Sequence, residues 1–104
     1  MFTGIIEEVG EISDINDAGD FRTLNVHART VMKDLVIGSS IAVNGVCLTA
    51  RTVARTNFSA DLSHETLNRS SLGSLAPGSM VNLEFDVLAK YVENLIKSHA
   101  IRNY

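Results

Sequence analysis

The sequence is poor in the residues that mark specialised classes. Its 104 residues hold one cysteine, Cys47, and one proline, Pro77. A single thiol excludes an internal disulfide and fits a reducing compartment. One proline beside a hydrophobic fraction of 45% excludes a disordered or low-complexity chain. The seven glycines are isolated, and none falls in a G-x-G-x-x-G or Walker spacing. The three histidines, His27, His64 and His99, lie far apart without a second ligand at a usual spacing, so no metal is expected. A net charge of −3 gives no reason to expect nucleic acid or an anionic membrane as partner. No apolar run approaches the roughly 20 residues that span a bilayer. The opening residues lack the basic segment of a secretory signal, and a cytoplasmic location is expected. This length fits one domain, able to bury one core with little stability to spare.

What is present is alternation. Leu24, Val26 and Ala28 alternate with Thr23, Asn25 and His27; Phe58, Ala60 and Leu62 alternate with Ser59 and Asp61; Val81, Leu83 and Phe85 alternate with Asn82 and Glu84. This is the pattern of half-buried strands. Ile5-Ile6-Glu7-Glu8-Val9 breaks it, which predicts a bulge there. Turn chemistry separates the runs at Asn16-Asp17-Ala18-Gly19, Ile37-Gly38, Asn44-Gly45, Arg55-Thr56-Asn57 and Pro77-Gly78. Short strands so spaced predict a small antiparallel barrel or sandwich, and closure would protect the edges. The acids Glu7, Glu8, Glu11, Asp14, Asp17 and Asp20 read as a solvated surface.

Two segments read as helices. Ser63 suits an N-cap, Glu65 suits the positive helix start, and Gly73 can end the turn that follows. From Asp86 to about His99, Val87, Leu88, Tyr91, Val92, Leu95 and Ile96 form one apolar face opposite Lys90, Glu93, Asn94 and Lys97. The expected division is a β domain over 1–86 and a helix with its tail over 87–104. That face is too apolar to leave in water, so self-association is expected.

The densest chemistry lies in Ser40-Ile41-Ala42-Val43-Asn44-Gly45-Val46-Cys47-Leu48-Thr49. Two β-branched runs joined by Asn-Gly are a strong hairpin signal. No Lys, Arg or His flanks Cys47 to lower its pKa, so a place beside a bound ring suits it better than a nucleophile's role. Ser63-His64-Glu65-Thr66 admits two readings. One is a helix start with no ligand. In the other, free N–H groups take ligand oxygens and Glu65 accepts from sugar-like hydroxyls, with Thr49 and Ser40 adding donors and acceptors.

Met1-Phe2-Thr3-Gly4-Ile5-Ile6, the run Ser40 to Thr49, Glu65-Thr66-Leu67 and Val81-Asn82-Leu83-Glu84 together resemble, in order and spacing, the N-terminal half of riboflavin synthase and its lumazine-binding relatives. The resemblance implies an all-β fold, a six-stranded antiparallel Greek-key barrel with a C-terminal α-helix. It implies a small-molecule ligand, 6,7-dimethyl-8-ribityllumazine or riboflavin, with no metal or added cofactor. It implies transfer of a four-carbon unit between two lumazines, giving riboflavin and a pyrimidinedione. By motif position, ring binding falls on Val46, Cys47, Thr49 and Ser63, and ribityl binding on Ser40, Glu65 and Thr66. Thr3, Gly4, Ile5 and Ile6 line the pocket, and Phe2 stands where the family's N-terminus reaches the active site. Phe2, Ser40 and Cys47 are therefore the catalytic candidates.

After Glu84 the family continues into a Gly-Gly-His segment and a second barrel. This chain enters Phe85-Asp86-Val87-Leu88 instead, which resembles the family's terminal helix. One barrel joined to that helix implies a homo-oligomer, with a trimer ahead of a dimer, because a second site must come from another copy. Two further readings stand beside the enzyme: a non-catalytic lumazine or flavin carrier, and a structural barrel that uses its helix only for assembly.

Overall fold

The alternating runs become strands because each can bury one face and leave the other wet. The computed structural model describes residues 2–88 together with Leu95. Seven strands form: β1 (Glu8–Ala18), β2 (Phe21–His27), β3 (Ser40–Val43), β4 (Val46–Thr49), β5 (Thr52–Val53), β6 (Asn57–Ser63) and β7 (Met80–Phe85). One short helix, α1 (His64–Arg69), follows β6, and single 3-10 turns lie at Val31–Lys33 and Ser71–Ser74. The strands make one antiparallel sheet in the order β4-β3-β7-β1-β2-β6-β5. Among the described residues no helix is long and apolar enough to cross a membrane.

The sheet curls around a single core. Leu48 of β4 and Phe58 of β6 belong to one buried cluster with Leu24, Val26, Ile41, Val43, Val81 and Leu83. β4 and β6 touch, although β3, β7, β1 and β2 lie between them in the sheet. The reason is the path of residues 46–53. They pair with β3 first, as β4, and with β6 afterwards, as β5, turning a corner at Ala50 and Arg51. No ladder joins β4 to β6 among the described residues, so the sheet is not closed.

The count of seven exceeds the expected six. β5 has only two residues, Thr52 and Val53, too few to display alternation. It is pinned by a 2.5 Å contact between the hydroxyls of Thr52 and Ser59, which is how the buried Ser59 is satisfied. The bulge is also displaced. Ile5 and Ile6 lie in an arm before β1, and the register shift falls between Ile12 and Asp14. Ser13 is the extra residue there, its hydroxyl donating to the Asn25 carbonyl at 3.1 Å. The Asn-Gly turn behaves as expected: Asn44 (φ 49°) and Gly45 (φ 80°) both take positive φ, and Val43 pairs with Val46.

Three acids do more than cover a surface. Glu8 accepts the backbone N–H groups of Arg29 and Val31 at 2.7 and 3.0 Å. Glu7 accepts that of Phe85 at 3.2 Å, and Asp17 pairs with Arg22 at 2.7 Å. Of the expected C-terminal helix, Val87, Leu88 and Leu95 are described, and all three are exposed. The Asp86 carboxylate accepts from the Leu88 N–H at 3.1 Å, as a cap does. Tyr91, Val92, Ile96 and His99 lie outside the described residues.

Gly10 of β1 sits opposite Val81 with no room for a side chain. A Cβ there would stand 2.7 Å from Leu83 Cδ1 and 2.9 Å from the His27 carbonyl oxygen. Leu83 is fully buried and cannot swing away. Gly10→Ala is therefore expected to cost about 1–3 kcal/mol, as overpacking does. Urea unfolding should show a lower midpoint with unchanged slope.

Candidate functional site

The corner at Ala50 and Arg51 leaves a seam. The Ala50 N–H donates to the Ser39 carbonyl at 2.8 Å, and the Ala50 carbonyl accepts the Gly38 N–H at 2.8 Å. The backbone of Ala50 thus points toward the β3 side. Strand backbones alternate, so Leu48 and Val46 point the same way, while Cys47 and Thr49 point outward toward β6. On β6, the Ser59 carbonyl accepts the Arg51 N–H at 2.7 Å and the Asn57 carbonyl accepts the Ala54 N–H at 2.8 Å. The same alternation turns the backbone groups of Asp61 and Ser63 toward β4. β5 pairs only with Phe58 and Ser59, so it does not cover them. The seam is zipped at Arg51–Ser59 and open beyond it. The backbone groups of Cys47 and Thr49 are turned toward β6 and those of Asp61 and Ser63 toward β4, with no backbone hydrogen bond between the two strands among the described residues.

Two unpaired edges offer N–H and carbonyl groups in one plane. A flat ring with its own in-plane donors and acceptors can occupy such a seam, as an added strand would. The side chains agree with this division. Leu48 is buried, whereas Cys47 and Thr49 are exposed on the face away from the core, opposite Ala42 and Ser40. Val46 differs from its neighbours: its side chain packs against the core and its backbone pairs with Val43.

One end of the seam runs into α1. Ser63 is both the last residue of β6 and the N-cap, its hydroxyl accepting the Thr66 N–H at 3.2 Å and lying 3.1 Å from the Thr66 hydroxyl. Glu65 follows in the first turn, exposed, 3.4 Å from the Arg69 guanidinium. A larger cleft of about 380 Å³, lined by Arg22, His64, Leu67, Asn68, Ser70, Gly73 and Ser74, contains none of the candidate residues.

The arm of residues 2–6 lies on the outer face of β7 and β3. The Thr3 N–H and hydroxyl donate to Glu84 Oε2 at 2.5 and 2.7 Å, and the Gly4 N–H donates to Oε1 at 3.0 Å. The Thr3 hydroxyl also accepts the Ile5 N–H at 3.2 Å. Gly4 and Ile6 with Ala42, Asn44, Gly45 and Asn82 line a cleft of about 240 Å³. Glu84 opposes Ala42, and Ala42 opposes Cys47, so the three form one row across β7, β3 and β4. At about 4.8 Å per strand, Glu84 stands about 10 Å from Cys47.

Glu84 reads in the sequence only as the polar half of an alternating strand. Its partner Thr3 is 81 residues away, and no local pattern links them. The hydrogen bond from the Thr3 hydroxyl, then those from the Thr3 and Gly4 N–H groups, hold the Glu84 carboxyl below its ordinary 4.5 against the upward push of burial.

The family model described as the lumazine binding domain matches residues 3–86. A riboflavin synthase of Actinobacillus pleuropneumoniae is 51% identical over 84 residues, which cover 81% of this chain and 39% of that protein. Among solved structures, LumP complexed with riboflavin is similar with a TM-score of 0.78 and 25% identity, over 84% of this chain and 47% of that one. LumP complexed with 6,7-dimethyl-8-(1'-D-ribityl) lumazine gives 0.75 and 26%, over 82% and 47%. The chain therefore spans less than half the length of each of these relatives.

A depressed carboxylate stabilises what it holds above its unfolded pKa and releases it as pH falls through the folded one. The arm should therefore stay docked above pH 4.5 and loosen only below it. Amide NMR shifts of Thr3 and Gly4 followed through acid titration should move together, with a midpoint under 4.5. A midpoint at or above the ordinary value contradicts the clamp.

Proposed function

This chain belongs to the lumazine-binding domain family, and from that we propose that it binds the ring of 6,7-dimethyl-8-ribityllumazine or riboflavin in the seam between β4 and β6. The observation that carries the reading is the pair of unpaired edges, Cys47 with Thr49 and Asp61 with Ser63. Both ligands present ring carbonyls and a ring N–H in one plane, which is what those edges lack. The bound ring fills the place of the missing β4–β6 ladder and completes the Greek-key barrel that the curl of the sheet approaches.

The ribityl chain extends toward Ser40, Glu65 and Thr66. An ionised Glu65 is acceptor-only, so it suits a row of hydroxyl donors, and Ser40 and Thr66 can serve either way. Thr3, Gly4, Ile5 and Ile6 form the wall beside the ring, with Phe2 leading over it. Val46 contributes by holding the hairpin on the core. The thiol of Cys47 lies beside the ring as a contact.

Conversion of two lumazines to riboflavin needs two bound rings face to face. Holding two reactants so can supply about 7–11 kcal/mol of a barrier. The described chain carries one such seam, so the second comes from another copy in a homo-oligomer, a helix-mediated trimer ahead of a dimer. No metal or added cofactor enters this scheme. The second reading is a carrier that binds without turnover. It is favoured by that single seam and by the LumP complexes among the similar structures.

Titration with each ligand, followed by fluorescence and by riboflavin formation, tests both. Binding with product supports the enzyme, binding without product supports the carrier, and no binding overturns both. Glu65→Ala is expected to weaken riboflavin binding by about tenfold or more, since a hydrogen bond to a charged group contributes about 1.5–3 kcal/mol. Cys47→Ser should keep its affinity.

A further inference from the structure

We infer that Glu84 is the positioning residue of the ligand site: its carboxylate docks the 2–6 arm over the β7–β3–β4 row and so sets the wall that closes on the ring. This deepens the seam-binding reading and rests on it.

Burial of its isoleucines does not dock the arm: Ile5 is 71% exposed and Ile6 51%, and among its apolar side chains only Phe2 is partly buried. Among the described residues, the first hydrogen bond from the chain to the sheet after the arm is Glu7 N–H to the Leu83 carbonyl, at 2.9 Å. Before it, every hydrogen bond from the described arm to the sheet ends on Glu84. Two oxygens are used separately, Oε2 for Thr3 and Oε1 for Gly4, so the carboxylate sets the arm's orientation as well as its place.

The clamp itself stands on firm ground. β7 is paired on both sides, with β3 and β1. Glu84 is only 8% exposed although it points away from the core, because the arm covers it. A carboxylate at that depth needs partners, and the arm supplies them. Its neighbour in the row is Ala42, whose small side chain lets the arm lie close to β3. Cys47 comes next, at the lip of the seam. The clamp thereby stands about two strand spacings, roughly 10 Å, from Cys47 at the lip of the seam.

The test compares the unchanged chain with Glu84→Gln, Thr3→Val and the double variant. Riboflavin affinity is read by fluorescence, and the access of iodide to the bound flavin reports the wall. Glu84→Gln should bind about tenfold more weakly and admit iodide, while Glu84→Asp, which keeps the charge, should recover part of both. Thr3→Val should move both readouts in the same direction by a smaller factor. Because Glu84 acts through the arm, the double variant should be no weaker than Glu84→Gln. Thr3 lies outside the core, so Thr3→Val reports even where Glu84→Gln unfolds. Unchanged affinity and iodide access in Thr3→Val overturn the inference. So does a double variant whose loss is the product of the two single losses. If the unchanged chain binds neither riboflavin nor the lumazine, the seam reading fails and this inference fails with it. Failure of the variants with binding intact removes this inference alone.

Discussion

A strand has two edges, and a curled sheet must do something with the last two. Here the chain settles the matter with a corner. Residues 46–53 leave β3 at Ala50 and join β6 at Arg51, which ties the ends of the sheet at one point. Beyond that point the geometry diverges. Cys47 and Thr49 on one side and Asp61 and Ser63 on the other keep their backbone groups directed at each other without pairing. Unpaired strand edges are a liability in most proteins. They become a specific receptor when the gap between them is wider than a hydrogen bond and narrow enough for one flat molecule. Every other feature of the proposed site is arranged around that gap.

The two walls of the gap are held by different physics. Leu48, Ile41 and Val43 fix the β3–β4 hairpin from below by burial in the core, and the Asn44-Gly45 turn fixes its register. A one-residue slip would turn Cys47 and Thr49 inward and expose Leu48. The arm is held by directed hydrogen bonds to one carboxylate, with its isoleucines left in water. The hairpin therefore can move only if the core opens, whereas the arm's position depends on the Glu84 carboxylate.

Local chemistry was legible in the sequence and long-range pairing was not. The period of two located β2, β6 and β7, Asn-Gly located the hairpin, and Ser63 is recognisable as a cap, because each signal lies within a few residues. By contrast β1, the longest strand, escaped because Ser13 and Asp14 interrupt its alternation. β5 escaped because two residues carry no period. The sequence points to a bulge at Ile5–Val9 because a broken alternation there looks the same whether the chain bulges or has not yet entered the sheet. The irregularity at Ser13 shows only as two polar residues, Ser13 and Asp14, between Ile12 and Ile15. Glu84 looked like any outward-facing polar residue, since its role depends on a contact that only the closed topology creates. The approach of β4 to β6 is hidden for the same reason: the seam belongs to the path of the sheet and to no single segment.

The length of the chain bears on function through the same seam. A receptor made from backbone edges recognises the plane and polar pattern of a ring and leaves the ring's faces uncovered. One face can be covered by the arm; the other remains available to a second ring or to solvent. Binding is therefore a property that one such domain can hold by itself. A reaction between two bound rings is a property of how two domains meet, since the reacting atoms must be brought within contact and kept there. This chain spans less than half the length of these relatives, and the proposed conversion needs a second seam beside the one described. Under the proposed function recognition and turnover are then separable, the first resting on the edges of β4 and β6 and the second on how two seams meet.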